Sequence, residues 1–150
     1  MQEVCAVYQN TITLFNFHKK TGVWYPSVIS GVDLIASKAN NATKEGTVNG
    51  DTVEIIIHCN KEKAIETSEG LKSYTGAKTY AVCDNPSGCI TFTPECDFIY
   101  GGVWPDLSPI IDDDSDSGLY HDINEIKDEV YMITSAVFYS LLPHFEIGGR

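Results

Sequence analysis

Positive charge is the scarcest commodity in this sequence: 10 Lys and Arg stand against 21 Asp and Glu in 150 residues, a net charge of −11 with histidine neutral. Proteins that read nucleic acids carry clustered cations to neutralise phosphates, so that class is disfavoured. Long apolar runs are missing too. The greasiest stretch, Met132 to Leu142, is broken by Thr134, Ser135 and Ser140, and falls short of the roughly 20 residues that cross a bilayer. Met1 to Leu14 contains Glu3 and no Lys or Arg, whereas a secretory leader places basic residues before its apolar segment. These absences predict a soluble protein that is made and kept in the cytosol of its producer and has no membrane partner.

Signatures of bound metal or nucleotide are equally thin. Cys5, Cys59, Cys83, Cys89 and Cys96 are odd in number and include no CxxC pair, which in a reducing compartment reads as free thiols serving as small hydrophobes. Gly70 to Thr79 imitates a phosphate loop, but its glycines are one residue too far apart and Ala77 separates Gly76 from Lys78. There is no GxSxG and no GxGxxG. The Asp112-Asp113-Asp114-Ser115-Asp116 run opens like a calcium loop, yet counting from Asp112 places Ser117 where glycine is needed and Ile123 where a bidentate Glu is needed. Counting from Asp113 supplies Ser115, Ser117, Gly118 and Asn124 and loses most of the charge. The expectation is a non-catalytic chain that requires neither metal nor cofactor.

What is present points to β structure. Apolar residues make up 43 % of the chain, enough for one core, so residues 1–150 are read as a single domain with 1–10 as an arm. Thr11 to Phe17 (TITLFNF) is a strand apolar on both sides, and Val23 to Val32 continues extended, with Pro26 confined to an edge or bulge. Thr52 to Cys59 (TVEIIIHC) is the strongest strand, with Val53, Ile55 and Ile57 on one face. Ser37 to Gly50 reads as a polar loop and Lys61 to Leu71 as a short helix ending at Gly70. Thr79 to Cys83, Cys89 to Thr93 and Asp97 to Trp104 read as short extended runs, and Tyr131 to Tyr139 with His144 to Ile147 as the closing strands. The fold class is therefore mainly β, a small β-barrel or sandwich with one short helix and long polar and acidic loops. Its predicted core is Ile12, Leu14, Val28, Val53, Ile55, Ile57, Phe92, Ile99, Ile133 and Val137.

Negative charge is concentrated. Residues 106–129 hold nine carboxylates against Lys127, a net of −8, which leaves −3 for the rest of the chain. The first part, 106–121, reads as an acidic loop within the domain; from Asp122 a capping-box pattern with Glu125, and apolar Ile123, Ile126 and Val130, predicts a helix at about 122–129.

The order of TITLFNF, WYPSVISGV, TFTPECDFIYGGV, EVYMITSAV and the terminal HFEIGGR resembles an uncharacterised family of small bacteriophage and prophage proteins found among head-to-tail morphogenesis products. The likeness runs from about Thr11 to Arg150. Asp97, Ile99 and Gly101 keep the D-x-I-x-G pattern of that family, and Phe145 stands where tryptophan is common. The resemblance implies a virion structural protein made in the host cytoplasm: a head-completion (stopper) or tail-completion protein of the head-to-tail connector. Such a protein forms a homo-oligomeric ring, contacts portal-side or tail proteins, and lets DNA pass without binding it. Asp112, Asp113, Asp114 and Asp116 are then candidates for an acidic lining of the channel. The alternative class is an acidic DNA-mimic inhibitor or other phage interaction protein, which would spread its carboxylates over a face at phosphate-like intervals.

Overall fold

A computed structural model describes residues 10–37, 52–112 and 118–150. The alternating runs become β1 (Asn10–His18), β2 (Val23–Ser37) and β3 (Thr52–His58), followed by β4 (Ala64–Thr67), β5 (Gly70–Tyr74), helix α1 (Ala77–Val82) and β6 (Cys89–Ile90). Then come β7 (Phe98–Tyr100), β8 (Ile110–Ile111), helix α2 (Leu119–Ile126), and the closing pair β9 (Val130–Tyr139) and β10 (His144–Gly149). Six strands close an antiparallel barrel in the order β1-β7-β9-β10-β3-β2, with β2 returning to β1. The short β8 adds to the start of β2, and β4, β5 and β6 form a separate small sheet.

Closure follows from where the apolar side chains go. Ile12, Leu14, Ile55, Ile57, Ile133 and Ile147 are buried together, each contributing about 1.5–3 kcal/mol through loss of contact with water. Ile65, Ile90 and Phe92, from the segment between β3 and β7, join the same cluster and fasten the small sheet to the barrel. The other side of β1 is apolar because it too is covered. Phe15 stacks on Phe98 with ring centroids 4.6 Å apart, and both pack with Trp24, Leu119, Ile123 and Val130 in a second cluster that includes α2. Gly31, at φ 68°, takes up the register shift where Asn10 pairs with Val32 but Thr11 pairs with Ser30.

Several expectations require correction. Val137 is not core: it is 48 % exposed. Gly148 pairs with Ser135 but Gly149 with Ile133, so Thr134 is an extra residue that reverses the alternation of β9. Ile133 faces inward before the bulge; Ala136 and Phe138 pack on the core after it. The helix expected at 122–129 spans Leu119–Ile126 instead, because Leu119 and Ile123 bury against the second cluster while Ile126 stays exposed. Lys61 to Leu71 is not helical. Asn60 accepts from the backbone N–H of Glu62 and Ala64, and Thr67 accepts from that of Glu69, so side chains take the donors of a first helical turn and a hairpin forms instead. Thr79 to Cys83 is mostly the end of α1, with Tyr80 buried, rather than extended. β2 runs on to Ser37, and the Ser37 to Gly50 loop otherwise lies outside the described residues. Pro26 sits opposite Phe15 on a stretch of β2 that pairs with β1 alone, so its missing N–H costs no ladder bond.

The reversal of β9 makes opposite predictions for two aliphatic residues. Ile55→Asp should unfold the domain, since a buried unpaired carboxylate costs several kcal/mol, comparable to the whole stability. Val137→Gln should change stability by no more than about 0.5 kcal/mol. Urea melts of the two variants check both.

Candidate functional site

Of the four aspartates singled out from sequence, the structure describes Asp112; Asp113, Asp114 and Asp116 lie outside the described residues. Asp112 is anchored. Its Oδ1 accepts a hydrogen bond from Trp24 Nε1 at 2.7 Å, and its backbone N–H donates to the Gly22 carbonyl at 3.1 Å. Just before it, Ile110 and Ile111 pair with Trp24 and Val23. Just after the cluster, Gly118 at φ 97° turns the chain into α2, whose Leu119 and Ile123 are buried. The 106–121 segment is therefore not wholly loop. It is fastened on both sides of the aspartate run, and Asp106, Glu125, Asp128 and Glu129 around it are exposed.

A second carboxylate has the opposite character. Asp97 is completely buried, yet the groups that donate to its carboxylate are all neutral. Oδ1 accepts from the backbone of Phe17 at 3.0 Å; Oδ2 accepts from the backbone of Thr93 at 2.9 Å and from Asn16 Nδ2 at 3.0 Å. Asn16 also donates to the Thr91 carbonyl at 2.6 Å, and the Ile133 N–H donates to the Asp97 carbonyl at 3.1 Å. One side chain thus ties β1 to the 91–97 turn and, through its own backbone, to β9. Burial pushes the Asp97 carboxyl up to about 6, while the donors from Phe17, Thr93 and Asn16 pull it the other way.

Other buried polar groups lie along the same seam. His18 Nε2–H donates to the Cys83 carbonyl at 2.9 Å, since a carbonyl can only accept, and this leaves Nδ1 to accept from the Thr21 hydroxyl at 2.8 Å. Lys72 Nζ donates to Ser27 Oγ at 2.8 Å and to Glu69 Oε1 at 3.1 Å. A lysine amine at this distance from a serine hydroxyl has the geometry of a Ser–Lys hydrolase. Two facts argue against that chemistry: Ser27 is 2 % exposed, beyond the reach of a substrate, and Lys72 Nζ is itself buried and also committed to the Glu69 carboxylate. The described thiols are half-buried rather than fully buried, and burial raises Cys59, Cys89 and Cys96, the last to about 11, which makes these three poor nucleophiles.

Sequence reasoning did not identify the polar seam. Its signal was present in β1, where Asn16 and His18 occupy the same inward parity as Ile12 and Leu14, so their polar side chains had to find partners inside. Among the described residues no group of three or more His, Cys, Asp or Glu stands close enough to hold a metal ion, and no helix is long and apolar enough to cross a membrane.

Residues 7–150 match the model of DUF6751, a family of unknown function, and the chain belongs to that family. No curated protein and no solved structure matches it.

The buried carboxyl dictates a pH dependence. An unfolded Asp ionises near 3.8 and Asp97 in the fold near 6, so between these values the folded state keeps a proton that the unfolded state has lost. Its contribution to stability is therefore greatest below about pH 4 and falls as pH rises through about 6, by on the order of 3 kcal/mol. Asp97→Asn puts an NH2 in place of one carboxylate oxygen, where it meets the Phe17 donor or the Thr93 and Asn16 donors head-on, and should destabilise the protein by about 2–4 kcal/mol at pH 7. It should also flatten the pH 4 to 6 slope relative to wild type, as urea melts across that range would read.

Proposed function

We propose that the chain is a non-catalytic structural protein of a phage or prophage virion, a head-completion or tail-completion component of the head-to-tail connector that works as a ring through which DNA passes. The observation that carries the reading is the fastening of the 106–129 segment. Nine of the 21 carboxylates lie in it, and β8, the Trp24–Asp112 bond and α2 hold it against the barrel on both sides of the aspartate run. A strongly negative element presented from a firm support suits a channel wall, because it repels phosphates over about a Debye length and so lets DNA slide without adhering. The order of motifs from Thr11 to Arg150 supports the same reading. Asp112 serves the support as much as the lining, so the charge assigned to the lumen is that of Asp113, Asp114 and Asp116.

In particles purified from a phage that encodes this chain, immunogold labelling should place it at the head-to-tail junction; its absence from intact particles would overturn the reading. Neutralising Asp113, Asp114 and Asp116 together to Asn should leave the melting temperature unchanged or slightly raised by relief of like-charge repulsion. The variant should still enter particles and should be defective in genome retention or ejection. Failure to enter particles would instead make the segment a docking surface for a basic partner, and full infectivity would make it a solubility feature.

A further inference from the structure

In the barrel ladder every strand has two neighbours, so a second copy cannot join it by adding a strand to an open edge. Association through the barrel wall must use side-chain faces, and two surfaces stand out. The first is the outer face of β3 and β10. Cross-strand registers place Asp33, Ile56, Glu146 and Val137 in one row, and Ile35, Glu54, Gly148 and Ser135 in the next. Ile35 and Val137 are 46 % and 48 % exposed, and Gly148, having no side chain, leaves a depression of about 240 Å³ between Glu54 and Glu146. These two rows are apolar and acidic and contain no Lys or Arg; Glu146 Oε2 lies 3.1 Å from His144 Nε2, whereas Glu54 makes no ion pair among the described residues.

The second is a pocket of about 140 Å³ at the end of β1, lined by Phe17, Lys19, Ala77, Lys78 and Ala81 among others. Lys19 and Lys78 are exposed, and neither makes an ion pair among the described residues. The acids nearby are engaged: Asp84 pairs with Lys20 at 3.0 Å, and Asp112 accepts from Trp24. This surface is apolar and basic.

Around the closed order β1-β7-β9-β10-β3-β2, β10 lies three strands from β1 in either direction, so the β3–β10 face lies across the barrel from the end of β1 that lines the pocket. We infer that copies of this chain associate head to tail, the acidic β3–β10 face of one seating on the Lys19–Lys78 pocket of the next. Symmetric pairing of two acidic faces would oppose Glu54 and Glu146 to copies of themselves, a like-charge juxtaposition that disfavours it. Complementary surfaces on opposite sides give a heterologous contact, the kind that repeats from copy to copy and closes into a ring when the rotation allows. The inference deepens the ring reading above by naming its subunit contact.

Carbodiimide cross-linking of the concentrated full-length chain, read by mass spectrometry, tests it. Cross-linked peptides joining Glu54 or Glu146 to Lys19 or Lys78 are expected, and high salt should suppress them. Glu54→Lys, Glu54→Lys/Glu146→Lys and Lys19→Glu/Lys78→Glu should each weaken association at least about tenfold in sedimentation velocity; the first and third should melt like wild type, whereas the second also loses the 3.1 Å contact between Glu146 and His144. An equimolar mixture of the last two should regain assembly, because each then offers the surface the other needs. The rescue together with the weakening of the lysine variant on its own identifies head-to-tail contact, because symmetric pairing of the acidic faces would leave the lysine variant assembling as before. Absence of these cross-links, or mixed variants that stay apart, would overturn the inference. Association by these faces in a chain absent from virions would uphold it and sink the connector reading; particles containing the chain with cross-links elsewhere would do the reverse.

Discussion

The Asp97 carboxylate is the point at which the separate parts of this structure are made to agree. It is completely buried, and it accepts from a β1 backbone N–H, from the Thr93 N–H and from Asn16, while its own carbonyl continues the ladder to Ile133 on β9. A buried acceptor of this kind is costly unless each partner is in place, so the 91–97 turn, the end of β1 and the start of β7 are held to one mutual arrangement. The same seam carries the His18 bond to Cys83 and the Lys72 bond to Ser27, which fix the small sheet and α1 against the barrel where apolar contact alone would allow sliding. Polar ties specify the docking; Ile65, Ile90 and Phe92 supply the burial that drives it.

Barrel closure leaves its six strands with faces instead of edges. β1 is buried on both sides, by the interior on one and by the α2 cluster on the other, so the exposed apolar side chains of the barrel gather on the far side, around β3 and β10. The bulge at Thr134 creates part of that surface by turning Val137 outward. A local insertion of one residue thus decides whether an aliphatic side chain serves the core or the exterior.

The distribution of charge follows a similar division. Carboxylates concentrate in 106–129 and at the β3–β10 face, whereas Lys19 and Lys78 flank a pocket opposite that face. Under the proposed connector reading one acidic element faces DNA and the other faces a neighbouring copy, so net charge and its placement serve different purposes.

The mainly β class, the five strands nearest 11–17, 23–32, 52–59, 97–104 and 130–138, and most of the core were legible in the sequence because side-chain alternation is a local property. The acidic segment was legible as composition. Its fastening was not, since the Trp24–Asp112 bond joins residues distant in sequence. Nor could periodicity reveal the hairpin at 64–74, where Asn60 and Thr67 side chains outcompete a helix, or the parity of Val137, which rests on pairing between Gly149 and Ile133. Asn16 and His18 at inward positions announced that polar partners were needed; only the fold could name them. What the chain determined by itself was which residues avoid water and at what spacing. Tertiary structure decided which distant groups met, because burial requires each polar atom to find a partner wherever the closed barrel brings one within reach.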